Sequence, residues 1–186
     1  MSRGESRKSK KARVLQSKLI HRGSVFDVRR DRIIEPTGIR AVRDVVVHPG
    51  SVVVLPVLPD GRAVLVRQFR YATGQFLWEL VAGRKEPEES PVVAARRELL
   101  EETGYRARRM KVFLDVFPTP GFLTERMYIL LAEGLTAGEA QPEEDEKITA
   151  RAFSAAELER MIRGGRMRDA KSIAGILYYL KYLRGR

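Results

Sequence analysis

The stretch GRKEPEESPVVAARRELLEETGY, from Gly83 to Tyr105, decides how the rest of the chain is read. Ser90 is a good helix N-cap, and Pro91 falls at the first helical position, where its missing N–H costs nothing. Gly104 follows the last turn and can take the left-handed conformation that ends a helix. Between them, Glu98 and Glu102 lie about 40° apart around the helix axis, with Glu101 about 60° to the other side, so all three share one face. Val92, Val93, Ala95, Leu99 and Leu100 fall broadly opposite and suit packing onto a sheet. Arg96 lies in that apolar arc, with its stem expected inside and its head snorkelling outward.

Three like charges on one face repel each other, and the last turn of a helix is the wrong end for anions. Two readings compete. One is a solvated acidic face; the other is a site for hard divalent cations, which take carboxylate oxygens. The spacing bears on the choice. Gly83 is followed after five residues by Glu89 and, after seven more, by Arg97-Glu98-Leu99-Leu100-Glu101-Glu102-Thr103-Gly104-Tyr105. This resembles in full the signature of the Nudix hydrolases, G-x5-E-x7-R-E-U-x-E-E-x-G-U, with U an apolar residue. Seven fixed residue types at fixed spacing arise by chance about once in 10^8 starting points.

Outward from this segment, composition sets the bounds. The chain has 186 residues, 44% of them hydrophobic, which suits one ordinary domain, or one domain plus arms. It has no cysteine, so disulfides and thiolate chemistry are excluded, and its two histidines are too few for an ordinary zinc site. No apolar run approaches the roughly 20 residues needed to cross a bilayer, and a cytoplasmic protein with no membrane partner is expected. The net charge is +11. Residues 2–13 carry six basic residues and one Glu. This basic tail, residues 1–13, has nothing apolar to bury and is expected to be disordered. Nucleic acid is not expected as a partner; the remaining positive charge suits a small phosphate-bearing substrate.

Residues 14–47 form an N-terminal β region. Lys18–His21 and Ser24–Arg30 flank Arg22-Gly23, and Ile33-Ile34 and Ile39–Val47 flank a Glu-Pro-Thr-Gly turn. His48-Pro49-Gly50 breaks the chain before Ser51–Leu58, a run expected as a central, doubly buried strand. Ala63–Phe69 returns after a Pro-Asp-Gly turn. Arg70 ends that strand as a candidate for gripping phosphate or stacking on a base, since guanidinium does both. Leu77–Val81 is a short strand in which Glu79 either orients Arg97 or binds substrate. Strands follow at Arg109–Val116, Glu125–Ala132 and Ile148–Phe153. Ser154 and Glu157 form a capping box opening a helix that Gly164-Gly165 ends. Lys171–Leu183 is a closing helix with Ile173, Ile176, Leu177 and Leu180 on one face. The fold class is α+β, a mixed sheet sandwiched between helices (α/β/α).

The resemblance to Nudix hydrolases spans roughly residues 40–183, with residues 48–186 as the hydrolase domain. Within the family the chain is most similar to ADP-ribose pyrophosphatases. Thr119-Pro120-Gly121-Phe122, with Glu125 following, is similar to their S-P-G-type loop, whose proline lies about fifteen to sixteen residues past the box; Pro120 stands 16 after Gly104. Glu143-Glu144-Asp145-Glu146-Lys147-Ile148 resembles their D-E-x-E-x-I loop, with Glu143 in place of the usual Asp. Arg168-Asp169-Ala170-Lys171 is also similar to the family. The resemblance implies Glu98 and Glu102 as principal Mg2+ ligands, with Glu101 assisting and the Ala82 carbonyl contributing an oxygen; Mn2+ or another divalent cation substitutes. Glu146 would join the metal and Glu144 would activate water. Arg97 would pair with a carboxylate such as Glu89. Arg70, Glu79, Pro120, Gly121, Phe122 and Glu125 are the candidate substrate residues.

The expected reaction is hydrolysis of ADP-ribose to AMP and ribose 5-phosphate by a homodimer whose N-terminal strands cross to the partner. The alternatives are another nucleoside diphosphate sugar, such as GDP-mannose or ADP-glucose, and an RNA-binding or RNA-processing protein on the same fold. The intact set of mutually repelling carboxylates argues against a silent scaffold.

Overall fold

A computed structural model describes residues 11–138 and 148–185. It divides into two compact units. One comprises residues up to Pro49 with Thr119–Glu125, and the other Gly50–Pro118 with Arg126–Arg186.

The first unit is an antiparallel meander of β1 (Arg13–Arg22), β2 (Asp27–Ile34) and β3 (Arg40–Val47), in that order. Gly38 turns β2 into β3 with a φ of 92°, which a side chain would disfavour. Asp31 is buried and accepts from Ser17 Oγ at 2.5 Å. Arg30 grips Asp44 across β2 and β3 through two bonds of 2.7 and 2.8 Å. Val14, Leu15, Leu19, Ile20 and Val42 nevertheless stay exposed. Residues Thr119–Glu125 join this unit through β3: Val46 N donates to Phe122 O at 2.8 Å, and Thr124 N to Val46 O at 2.9 Å.

The second unit holds two sheets. The larger is mixed, in the order β7 (Val81–Arg84), β4 (Ser51–Pro56), β9 (Met127–Ala137), β8 (Tyr105–Val116), with β4 and β9 parallel. The smaller is antiparallel, β10 (Thr149–Phe153), β5 (Ala63–Arg70), β6 (Gln75–Glu79). All of β4 is buried, as its unbroken apolar run predicts. Its alternation feeds two cores. Val52 and Val54 pack with Ala94, Ala95 and Leu99 of helix α1 (Pro91–Thr103). Val53 and Leu55 pack with Leu158 and Met161 of α2 (Ala155–Arg163) and Ile176 of α3 (Ala170–Tyr182). The sheet is therefore sandwiched between helices, as the sequence implies.

Two connections differ from the sequence reading. Ala63–Phe69 reads as the return strand of a hairpin with β4, but only Val57 and Ala63 bridge, and β5 then enters the other sheet. Leu77–Val81 reads as one strand, but the chain switches sheets at Leu80. The Leu80 N–H donates instead to Ser172 Oγ at 2.7 Å. Ser172 reaches it because Gly175 lets α3 close on the sheet: a Cβ there would come within 3.1 Å of Leu80 Cδ1 and 3.2 Å of Ile129 Cγ2. Leu177, expected on the packed face of α3, is exposed, and Ser172 and Gly175 take the buried positions with Ile176.

Candidate active site

Helix α1 begins and ends as its residues dictate. Ser90 Oγ accepts from Val93 N at 3.3 Å, and Gly104 closes the helix at φ 73° with its N–H on Leu100 O. The faces differ from expectation. Val93 is exposed, and the buried set is Ala94, Ala95, Glu98, Leu99 and Glu102. The two carboxylates thus face the interior side of the helix, which excludes the reading of a solvated acidic face for Glu98 and Glu102.

Gly83 explains why Glu98 turns inward. A Cβ at position 83 would lie 2.0 Å from Glu98 Cδ and 2.1 and 2.2 Å from its carboxylate oxygens. The space a side chain would fill on β7 is taken by the carboxylate itself. Ala82, next to Gly83, pairs with Val53 in the ladder between β7 and β4.

Arg97 gathers the charges around this point. Its Nη1 donates to Glu98 Oε1 at 2.7 Å and to Glu101 Oε2 at 3.0 Å. Its Nε and Nη2 reach the two Glu89 oxygens at 3.4 and 3.3 Å, and Nη2 also donates to Arg84 O at 3.0 Å. Burial works against the Arg97 cation, but the bonds to Glu89 and the charge of Glu98 outweigh it and raise its pKa above the ordinary guanidinium value. Burial likewise pushes the Glu89 carboxyl upward, and the Arg97 bond overcomes it and holds it low. The loop before α1 is closed by Lys85 Nζ on Glu86 O and Glu89 O at 3.1 and 3.0 Å, and by Glu86 N on Glu89 Oε2 at 3.1 Å. Within it Glu88 takes φ 65°, left-handed for a residue with a side chain.

Arg70 and Glu79 form a second cluster. Glu79, 2% exposed, receives a two-pronged grip from Arg70, Nε to Oε1 at 2.8 Å and Nη2 to Oε2 at 2.9 Å. Lys171 pairs with the same Oε2. Glu79 therefore does not orient Arg97; its position on β6 sets it against β5 and α3. The sequence reading missed Lys171 as a partner, although a lysine opening an apolar helix in the segment 168–171 was a signal.

Among the other candidates, Phe122 is held in the first unit by its carbonyl, and Glu125 Oε1 lies 4.0 Å from His48 Nδ1. Glu144 and Glu146 lie outside the described residues. Among the described residues no three acidic or imidazole groups converge as a ready-made cage. The oxygens of Glu98, Glu101 and Glu102 are nonetheless the donors a hard cation takes, and Mg2+ is commonly held by one or two carboxylates with substrate phosphates rather than by an all-protein cage.

The NUDIX domain family matches residues 47–175, and the chain belongs to it. The fold and the α1 segment are thus those of a hydrolase of the Nudix family, a class that uses divalent metal ions. Among its relatives, an ADP-ribose pyrophosphatase of Bacillus subtilis is 32% identical over 173 residues, 92% of this chain and 94% of that protein. A GDP-mannose pyrophosphatase of Cronobacter sakazakii is 34% identical over 145 residues, 73% of this chain and 74% of that protein. A solved ADP compounds hydrolase shares the fold with a TM-score of 0.82 at 22% identity, covering 97% of this chain and 98% of that one. No helix among the described residues is long and apolar enough to cross a membrane.

Proposed function

We propose that the protein hydrolyses the pyrophosphate bond of ADP-ribose to AMP and ribose 5-phosphate with Mg2+. The observation that carries the chemistry is the Glu98 carboxylate seated over Gly83 beside Glu102. The substrate rests on the ADP-ribose pyrophosphatase relative, whose similarity runs nearly the full length of both chains.

Glu98 and Glu102 supply the metal oxygens, with Glu101 and the Ala82 carbonyl beside them; the buried, preset Glu98 fits such a role. Bound Mg2+ would offset the negative charge of the pyrophosphate and stabilise the charge that builds on the phosphoryl oxygens in the transition state. Arg97 keeps Glu98 and Glu101 oriented and ties the preceding loop to α1 through Glu89. Arg70 takes a phosphate oxygen of the substrate. Glu144 accepts the proton of the attacking water, whose oxygen bonds to phosphorus as the bridging P–O bond breaks, and Glu146 adds a further carboxylate. Pro120, Gly121, Phe122 and Glu125 are the further residues proposed to bind the nucleoside diphosphate sugar. The enzyme acts as a homodimer, a reading supported by the exposed Val14, Leu15, Leu19 and Ile20 of β1, which need a cover. A nucleotide substrate sets it in the cytoplasm.

The GDP-mannose pyrophosphatase relative favours a second substrate reading. Initial rates with Mg2+ on ADP-ribose, GDP-mannose, ADP-glucose, NADH, diadenosine polyphosphates and 5′-triphosphate RNA decide between them. ADP-ribose is expected to give the highest kcat/KM, with AMP and ribose 5-phosphate released in equal amounts. A preference for GDP-mannose overturns the substrate, and hydrolysis of none of them overturns the reaction.

A further inference from the structure

Glu79 is the centre of a charge network that α1 does not contain. Arg70 holds it from β5, and Lys171 holds it from α3. Lys171 Nζ also lies 3.0 Å from Asp169 Oδ1. Asp169 caps α3, accepting from Ser172 N at 3.0 Å and from the Ser172 hydroxyl. Ser172 Oγ in turn accepts from Leu80 N, the residue that joins β6 to β7. One residue before Asp169, Arg168 Nη1 donates to Gln75 Oε1 at 3.1 Å. The N-terminus of α3 is thereby fixed to β5, β6 and the start of β7.

Stability alone is a poor reason for this arrangement, because a buried ion cluster gains little over apolar packing of the same volume. Its charge balance suggests another. Two carboxylates, Glu79 and Asp169, face two cations, Arg70 and Lys171. Without Lys171, Arg70 would be the sole counter-charge of two anions and its guanidinium would be consumed inside the protein. With Lys171 present, Arg70 is aligned by Glu79 yet remains 38% exposed on its side chain, with charge to offer outward. The bond to Glu79 chiefly raises the Arg70 pKa against its burial, and the charges of Glu79, of Glu102 on α1 and of Asp169 add to it.

We infer that Lys171 and Asp169 are positioning residues: through Glu79 they hold the Arg70 guanidinium in the orientation in which it takes a phosphate of the substrate. This rests on the reading of Arg70 as a phosphate ligand. It makes helix α3 part of the substrate-holding machinery and not only a cover for the core.

The test is a double-mutant cycle on Arg70→Ala and Lys171→Met in the full chain. KM and kcat are measured for ADP-ribose, and Kd by calorimetry for α,β-methylene-ADP-ribose, which cannot be hydrolysed. Lys171→Met is expected to raise KM and Kd about tenfold, the loss of one well-aligned charged hydrogen bond, with kcat changed less than about threefold. Lys171→Arg should restore both constants, and Lys171→Met should have no further effect once Arg70 is Ala. If Lys171→Met loses its cooperative melt, Lys171→Gln carries the same prediction. Unchanged constants in the lysine variant, or additive effects in the double variant, overturn the positioning role while Arg70→Ala still weakens binding. Unchanged binding in Arg70→Ala instead removes the phosphate reading itself, and the positioning role with it.

Discussion

A single methyl group at position 83 would occupy the place of the Glu98 carboxylate, 2.0 Å from its Cδ. Gly83→Ala is therefore expected to cut Mg2+-dependent turnover at least ~100-fold and to destabilise the fold by about 1–3 kcal/mol, the usual cost of overpacking. Rate measurements and urea denaturation on the same preparation check both. The glycine was legible in the sequence from its place in the motif, but its physical reason was not, because a steric conflict between β7 and α1 requires both to be in place. Glu79 is a similar case. Its acidity in an apolar strand was visible, but its partners come from 9 residues before and 92 residues after it. Burial pushes the Glu79 pKa up, and the bonds from Arg70 and Lys171 prevail and lower it. A carboxylate with a depressed folded pKa stabilises above its unfolded value of about 4.3 and loses that contribution as pH falls through the folded value. The melting temperature of the wild type should therefore exceed that of Glu79→Gln fully at pH 7, and the gap should close below about pH 4. A gap that does not narrow at all as pH falls below about 4 would mean that the charge of Glu79 is not what stabilises.

At the scale of elements, ends were easier to read than faces. Caps are local: Ser90, Gly104 and the reciprocal bonds of Ser154 and Glu157 all lie where the residue types place them. Ser154→Ala removes the acceptor for Glu157 N and should cost about 1 kcal/mol in urea denaturation, with kcat unchanged. Faces depend on what lies opposite. By spacing Val93 belongs to the apolar arc of α1 but is exposed, while Glu98 and Glu102 are buried; for Glu98 the reason is the glycine that β7 offers its carboxylate. Leu177 of α3 is exposed for a related reason: the helix approaches the sheet through Gly175 and Ser172. The change of sheet at Leu80 left no mark on its neighbours, since a backbone N–H that bonds a serine 92 residues away looks like any other in the sequence.

At the scale of the molecule, the sandwich of a mixed sheet between α1 and the pair α2, α3 followed from the order of elements and from the doubly apolar β4. The meander β1–β2–β3 was legible as strands, and the family resemblance implied that these strands meet a partner; which of its apolar side chains stay exposed was not legible. A second copy is the proposed cover. Sedimentation should find a dimer, and Leu15→Asp with Leu19→Asp should raise its dissociation constant at least ~100-fold, about the loss of two buried leucines. A monomer in the wild type would remove the dimer. The measurement that bears most directly on metal-assisted pyrophosphate hydrolysis is the release of AMP from ADP-ribose as Mg2+ is titrated, for the wild type, Glu98→Gln and Glu102→Gln. The wild type is expected to require Mg2+ and to release ribose 5-phosphate in step with AMP. Both variants are expected to lose at least ~1,000-fold in turnover, roughly 4 kcal/mol of transition-state stabilisation, while melting as cooperatively as the wild type. Turnover in both variants equal to that of the wild type, or wild-type turnover undiminished without a divalent cation, would contradict it.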